Sequence, residues 1–197
     1  MSMSMTFDER LNRILPRITS DDFLLNRGMG NEIGFWIFDY LPQDEVAMRA
    51  FVREVIEPAL ARQSPPLRFK TIDLFALMVD VLRERGLLDK TIRMQADKGN
   101  EAAMPGLRSV LQEKKLAQRI ADQIDFEAID LLMLTGVGAA YPVLRSHTLL
   151  SALQPLVGNK PVLMFYPGRY NGFSLSLFDR PIHQDGDPYY RAFRLVD

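Results

Sequence analysis

The chain contains no cysteine and only two histidines among its 197 residues. Disulfide staples and thiolate-ligated zinc are therefore excluded, and this usage fits a reducing compartment. Charge of one sign is lacking too: 24 lysines and arginines stand against 25 aspartates and glutamates. That balance argues against the broad electropositive surface of a dedicated DNA binder, and direct nucleic-acid binding is not expected. No apolar run reaches the roughly 20 residues that cross a bilayer. The longest uncharged stretches, Leu131 to Leu144 and Ser146 to Asn159, are shorter and broken by glycine, proline or hydroxyl residues. The opening MSMSMTFDERLNR turns charged without an apolar segment, so no secretory leader is expected.

Two phosphate-binding motifs are missing as well. After Gly136 and Gly138, the position where GxGxxG needs its third glycine holds Tyr141, and no Gly-Lys-Ser or Gly-Lys-Thr run occurs anywhere. ATP hydrolysis is not expected, and no complete catalytic motif, cofactor motif or metal-ligand set is present. His183, with Asp185 and Asp187, reads as a solvated turn, and His147 as a half-buried helix residue without an identifiable partner for base catalysis.

What is present is an alternation of apolar strands and amphipathic helices. A content of 47% hydrophobic residues in a chain of this length supports one sizeable core, so we expect a single α/β domain over residues 1–197. Residues 1–27 carry N-terminal helices, the first capped by Thr6 and ended by Pro16, the second capped by Ser20. Strands are expected at Ile33 to Tyr40 and, partly exposed, at Leu67 to Ile72. Pro42 opens a helix that Pro58 should kink or end, and Asp73 caps another whose stripe is Leu74, Leu77, Met78, Val81 and Leu82. Residues 87–104 read as a helical excursion with a turn at Lys98, Gly99 and Asn100. One long helix is then expected from Leu107 to Ile124, with Glu113, Lys114, Lys115 and Arg119 on its solvated face.

The C-terminal third holds two continuously apolar strands, Ile129 to Leu134 and Pro161 to Tyr166, around a helix from Pro142 to Leu153. Strands without polar alternation are covered on both faces, which implies a mostly parallel central sheet flanked by helices. A right-handed crossover brings both strand ends to one rim, with Gly136, Gly138 and Gly168. Later strands are expected at Phe173 to Phe178 and Tyr189 to Val196. The turn offers a candidate anion site at Gly136, Gly138 and Arg145, with a plain tight connection as the simpler reading. The stretch YPGRYNG from Tyr166 reads as a loop. Tyr166, Arg169, Tyr170, Tyr189, Tyr190, Arg191 and Arg194 are candidate partner contacts, although aromatic packing and snorkelling arginines account for them equally well.

Several of these segments together resemble one family. They are TFDERLNRIL from Thr6, GMGNEIGFWIFDY from Gly28, TGVGAAYPVLRSH from Thr135, the stretch from Leu153 to Phe178, and YYRAFRL from Tyr189. The combination is similar to the BrxB family of bacteriophage-exclusion (BREX) defence systems, with Ser151 and Ala152 standing where many members carry asparagine. The resemblance implies a cytoplasmic, non-catalytic accessory or assembly component that supports phage restriction and host DNA methylation. It implies a fold like a degenerate P-loop or Rossmann domain without a Walker A motif. It implies other BREX proteins as partners, foremost the alkaline-phosphatase-like PglZ, and leaves self-association open. A small-ligand or nucleotide-binding protein using residues 129–147 is the other reading.

Overall fold

A computed structural model describes residues 5–27, 34–172, 174–178 and 192–196. Among them, six strands form one sheet: β1 (Phe35–Tyr40), β2 (Phe69–Asp73), β3 (Leu131–Thr135), β4 (Val162–Tyr170), β5 (Leu175–Leu177) and β6 (Ala192–Arg194). The order is β2-β3-β4-β1-β6, with every neighbouring pair on this path parallel, while β5 turns back antiparallel on the far end of β4. The apolar runs account for the arrangement. All five residues of β3 and all six of β1 are buried, because each strand feeds both faces. Leu132 and Leu134 enter one cluster and Leu131 and Met133 the other; Ile37 and Phe38 divide the same way. β2 lies at an edge, and its alternation of half-buried Phe69 and Thr71 with exposed Lys70 reflects that position.

Helices cover both faces. On one lie α1 (Phe7–Ile18), α2 (Asp21–Leu24) and the run from α3 (Glu45–Phe51) to α4 (Glu57–Ala61), whose Ile14, Ile18, Met48, Ile56 and Leu60 are buried against the sheet. Burying side chains of this size contributes roughly 1.5–3 kcal/mol each. On the other face lie α5 (Leu74–Glu84), α7 (Glu113–Gln123) and α9 (Ser146–Leu153), with α6 (Leu88–Val110) packed outside them. The β1-to-β2 connection thus crosses one face, and the connections from β2 through β3 to β4 cross the other.

Three expectations are corrected. Pro16 does not end α1, which runs on to Ile18: the proline sits near the helix end, where its missing N–H forfeits one hydrogen bond, and Ile14 and Ile18 pin the last turn to the core. Pro42 does open the next helix, as a 3-10 turn, Pro42–Asp44, ahead of α3, and the distortion expected at Pro58 takes the form of a widened π turn at Val52–Ile56, in which the Glu57 N–H reaches the Val52 carbonyl. The helix expected from Leu107 to Ile124 is two helices, broken at Leu111 and Gln112. The apolar stripe that ends at buried Leu111 would continue at 114 or 115, but those are Lys114 and Lys115, and it restarts out of phase at Leu116. The excursion does turn at Gly99, which leaves helical geometry inside α6. The helix expected from Pro142 starts at Ser146. Between β3 and α9 the chain makes a single short helix, α8 (Val137–Ala140), and a turn.

Candidate functional site

In open parallel sheets, ligands bind beyond the carboxyl ends of the strands, where neighbouring strands send their connections to opposite faces. Here that point lies beside the end of β1, next to β4. It is filled by the chain itself. Asp39, the one acid in the apolar run FWIFDY, is only 7% exposed. Its Oδ1 accepts from Arg10 Nη2 at 2.7 Å, and its Oδ2 accepts from the Tyr170 backbone N–H at 3.0 Å and from Arg194 Nη2 at 3.2 Å. Arg10 also donates to the Asp39 carbonyl at 2.7 Å and the Val196 carbonyl at 3.2 Å, and its guanidinium lies 4.8 Å from the Phe38 ring centre. One carboxylate thereby joins α1, β1, the end of β4 and the C-terminal strand. An anionic ligand entering here would meet a carboxylate rather than a row of free N–H groups.

The loops around this point are equally occupied. After β1 the chain continues Leu41, Pro42, Gln43, Asp44, with no glycine to let a phosphate approach the backbone. Tyr40 is buried and donates to Glu45 Oε2 at 2.6 Å; burial, reinforced by that carboxylate, raises its pKa far above the ordinary phenol range and keeps it a neutral donor. After β2, Asp73 caps α5 by accepting from the Ala76 N–H at 3.0 Å, with Arg49 Nη2 3.9 Å away. After β3, Gly136 has φ +71°, and a Cβ there would lie 2.3 Å from Asp73 Oδ1. The glycine lets the β3 turn close on the cap of α5.

The three anion candidates do not converge. Gly136 faces Asp73, and a Cβ on Gly138 would meet Pro167 and Phe178. Arg145 precedes α9 rather than lying inside it. Its backbone N–H donates to Glu113 Oε1 at 3.2 Å, so the negative charge at that helix start is the chain's own. Arg145 instead lines a cavity of about 210 Å³ with Arg108, Glu113, Val143 and Thr148.

The candidate partner contacts also separate. YPGRYNG is largely strand: β4 runs to Tyr170 because β5 pairs with its end, and Gly168 permits the close approach, since a Cβ there would lie 2.2 Å from the Ser176 carbonyl. Tyr166 and Tyr170 are buried core residues and present no surface in the folded chain. Burial raises the pKa of both, and the Tyr170 hydroxyl is held at the Ala192 carbonyl. Arg194 is engaged by Asp39, and Arg169 is exposed. Tyr189, Tyr190 and Arg191 lie outside the described residues, as do His183, Asp185 and Asp187. His147 is half-buried.

Sequence reading missed the rim's exposed apolar residues. Val46 is 78% exposed, Phe75 46%, and Leu41 and Phe178 39% each. Leu41 and Val46 follow β1, Phe75 opens α5 after β2, and Phe178 follows β5 and meets Tyr141 edge-on at 6.0 Å. The signal was available in part, since Val46 and Phe75 fall on the polar sides of their helical stripes. Among the described residues, no group of three or more metal-ligating side chains occurs, and no helix is long and apolar enough to cross a membrane.

These features define a three-layer α/β domain with a parallel main sheet, no phosphate loop among the described residues, and a switch point closed by an internal ion-pair cluster. The family model described as BREX protein BrxB matches residues 70–195. A BREX protein BrxB of Escherichia coli O9:H4 (strain HS) is 44% identical over 188 residues, covering 95% of this chain and 90% of that protein. Another, from Bacillus cereus (strain H3081.97), is 40% identical over 194 residues, covering 96% and 97%. The chain belongs to the BrxB family. No solved structure matches it.

Proposed function

We propose that the chain is a non-catalytic assembly component of a BREX anti-phage defence system that docks another protein of that system on the carboxyl rim of its sheet. One observation carries this reading: the rim's ligand position is filled by Asp39, Arg10 and Arg194, while Leu41, Val46, Phe75 and Phe178 expose apolar surface around it. An exposed apolar patch on a soluble-type fold is a feature of interaction surfaces. Both relatives carry the name BREX protein BrxB, which supports the defence context, and through it a contribution to phage restriction and host methylation. The alkaline-phosphatase-like PglZ is the first partner to test.

The experiment is co-purification of the tagged chain with PglZ and the other proteins of the system. Val46→Asp combined with Phe75→Asp is expected to abolish capture while the melting temperature stays close to wild type, since both side chains are exposed and surface changes cost within about 0.5 kcal/mol. Undiminished capture by this variant removes the rim from consideration.

A further inference from the structure

The cavity beside α9 extends that surface and specifies what it accepts. Arg108, from the end of α6, and Arg145, ahead of α9, both line it, together with Thr148. Arg108 donates one long bond, 3.3 Å, to the Pro142 carbonyl, and Glu113 uses Oε1 on the Arg145 backbone N–H. Among the described residues, neither guanidinium is held in an ion pair, so their remaining N–H groups are available. Two cations gathered around one cavity repel each other unless an anion is shared between them. Glu113 offsets part of this charge, leaving a single net positive charge in the cavity. That balance matches a monoanionic carboxylate better than a dianionic phosphate, which Glu113 would oppose.

Residues 141–143 link the cavity to the apolar edge. Val143 lines the cavity, Pro142 is tied to Arg108, and Tyr141 packs edge-on against Phe178, which is 39% exposed. A segment laid along this line meets a cationic recess and, beside it, an aromatic ledge. We propose that this is the docking site for a partner protein segment in which an aspartate or glutamate enters the Arg108–Arg145 cavity and an adjacent apolar side chain rests on Phe178 and Tyr141. Planar guanidinium groups suit a carboxylate because they donate in parallel pairs. This inference rests on the docking function proposed above, and adds the chemistry of the partner.

The test uses the full chain and each purified protein of its defence system, with binding followed by biolayer interferometry. For the protein that binds, Arg145→Glu and Arg108→Glu are each expected to weaken binding roughly tenfold or more and to flatten its salt dependence. An acid-to-arginine exchange in the partner segment protected from hydrogen exchange is expected to restore binding to Arg145→Glu. If both arginine variants bind within twofold of wild type while Val46→Asp with Phe75→Asp does not bind, rim docking stands and the cavity proposal falls. If millimolar inorganic phosphate displaces the partner where chloride of equal ionic strength does not, the cavity is a phosphate site and the proposal is overturned. If no protein of the system binds the wild-type chain, both readings fall together.

Discussion

Replacing Asp39 with alanine removes an acceptor shared by Arg10, Arg194 and the Tyr170 N–H, and the cost follows from what each donor is left facing. The Tyr170 N–H is buried, and orphaning such a donor costs about 1–3 kcal/mol. The Arg10 side chain is 18% exposed, so its charge is stranded in a poorly solvated position, with only carbonyl oxygens to accept from it. Breaking a largely buried pair from one side costs about 3–5 kcal/mol, a large share of the about 5–15 kcal/mol that holds a domain folded. Arg194→Ala should be far milder, about 1 kcal/mol or less, because that side chain is 36% exposed and its ion pair is partly screened. Urea titration reads both changes as shifts in midpoint at constant slope. A double variant, Arg10→Met with Asp39→Leu, should regain at least half of the loss by replacing the charges with packed apolar groups. The reasoning is refuted if Asp39→Ala costs no more than Arg194→Ala, or if hydrogen exchange in α1 and around residues 192–196 is unchanged by it.

Gly136→Ala should lower the melting temperature far more than Gly158→Ala. Both glycines have positive φ, but a Cβ at 136 collides with Asp73 Oδ1 whereas nothing lies within 4 Å of one at 158. We expect about 2–4 kcal/mol against about 1 kcal/mol, with 2–4 °C per kcal/mol for a chain of this size; equal shifts would remove the packing argument. At the opposite rim, Arg68 donates from its backbone N–H and from Nε to Asp130 Oδ2, each at 3.0 Å, and holds the Asp130 carboxyl below its ordinary value of 3.8. A depressed carboxyl stabilises the fold above its unfolded pKa and loses that contribution as pH falls through the folded one. The stability gap between wild type and Asp130→Asn should therefore be constant from neutral pH down to about 5 and close progressively below about 4. A gap that widens on acidification would show that the pairing is misassigned.

Elements with redundant local signals were legible in the sequence. β1 and β3 announce themselves by unbroken apolar runs, and α5 by the Asp73 cap and a stripe whose five named residues are all buried. Where reading failed, a local rule met a tertiary constraint. Pro16 is a helix breaker by propensity, yet flanking side chains docked on the sheet hold its helix through it. Tyr166, Arg169 and Tyr170 form a plausible contact loop as a string, but pairing with β1 holds Tyr166 in β4 and pairing with β5 extends that strand through Tyr170, and both tyrosines are buried. The site was less legible than the fold. Asp39 stood out as an acid inside an apolar strand, but its partners come from positions 29 and 155 residues away, and no spacing rule connects them.

By itself the sequence determined the class of fold, the absence of both phosphate motifs and the family, because composition, periodicity and motif spacing are properties of neighbouring residues. Tertiary structure alone decided that the ligand position of the sheet is closed by the chain's own carboxylate. It also decided that Arg145 belongs to a cavity with Arg108 instead of to the glycine turn, and that apolar residues from three separate connections share one rim. Those relations arise when a parallel sheet brings the ends of distant strands to a common edge, and electrostatics and burial there depend on distances that the linear order does not contain.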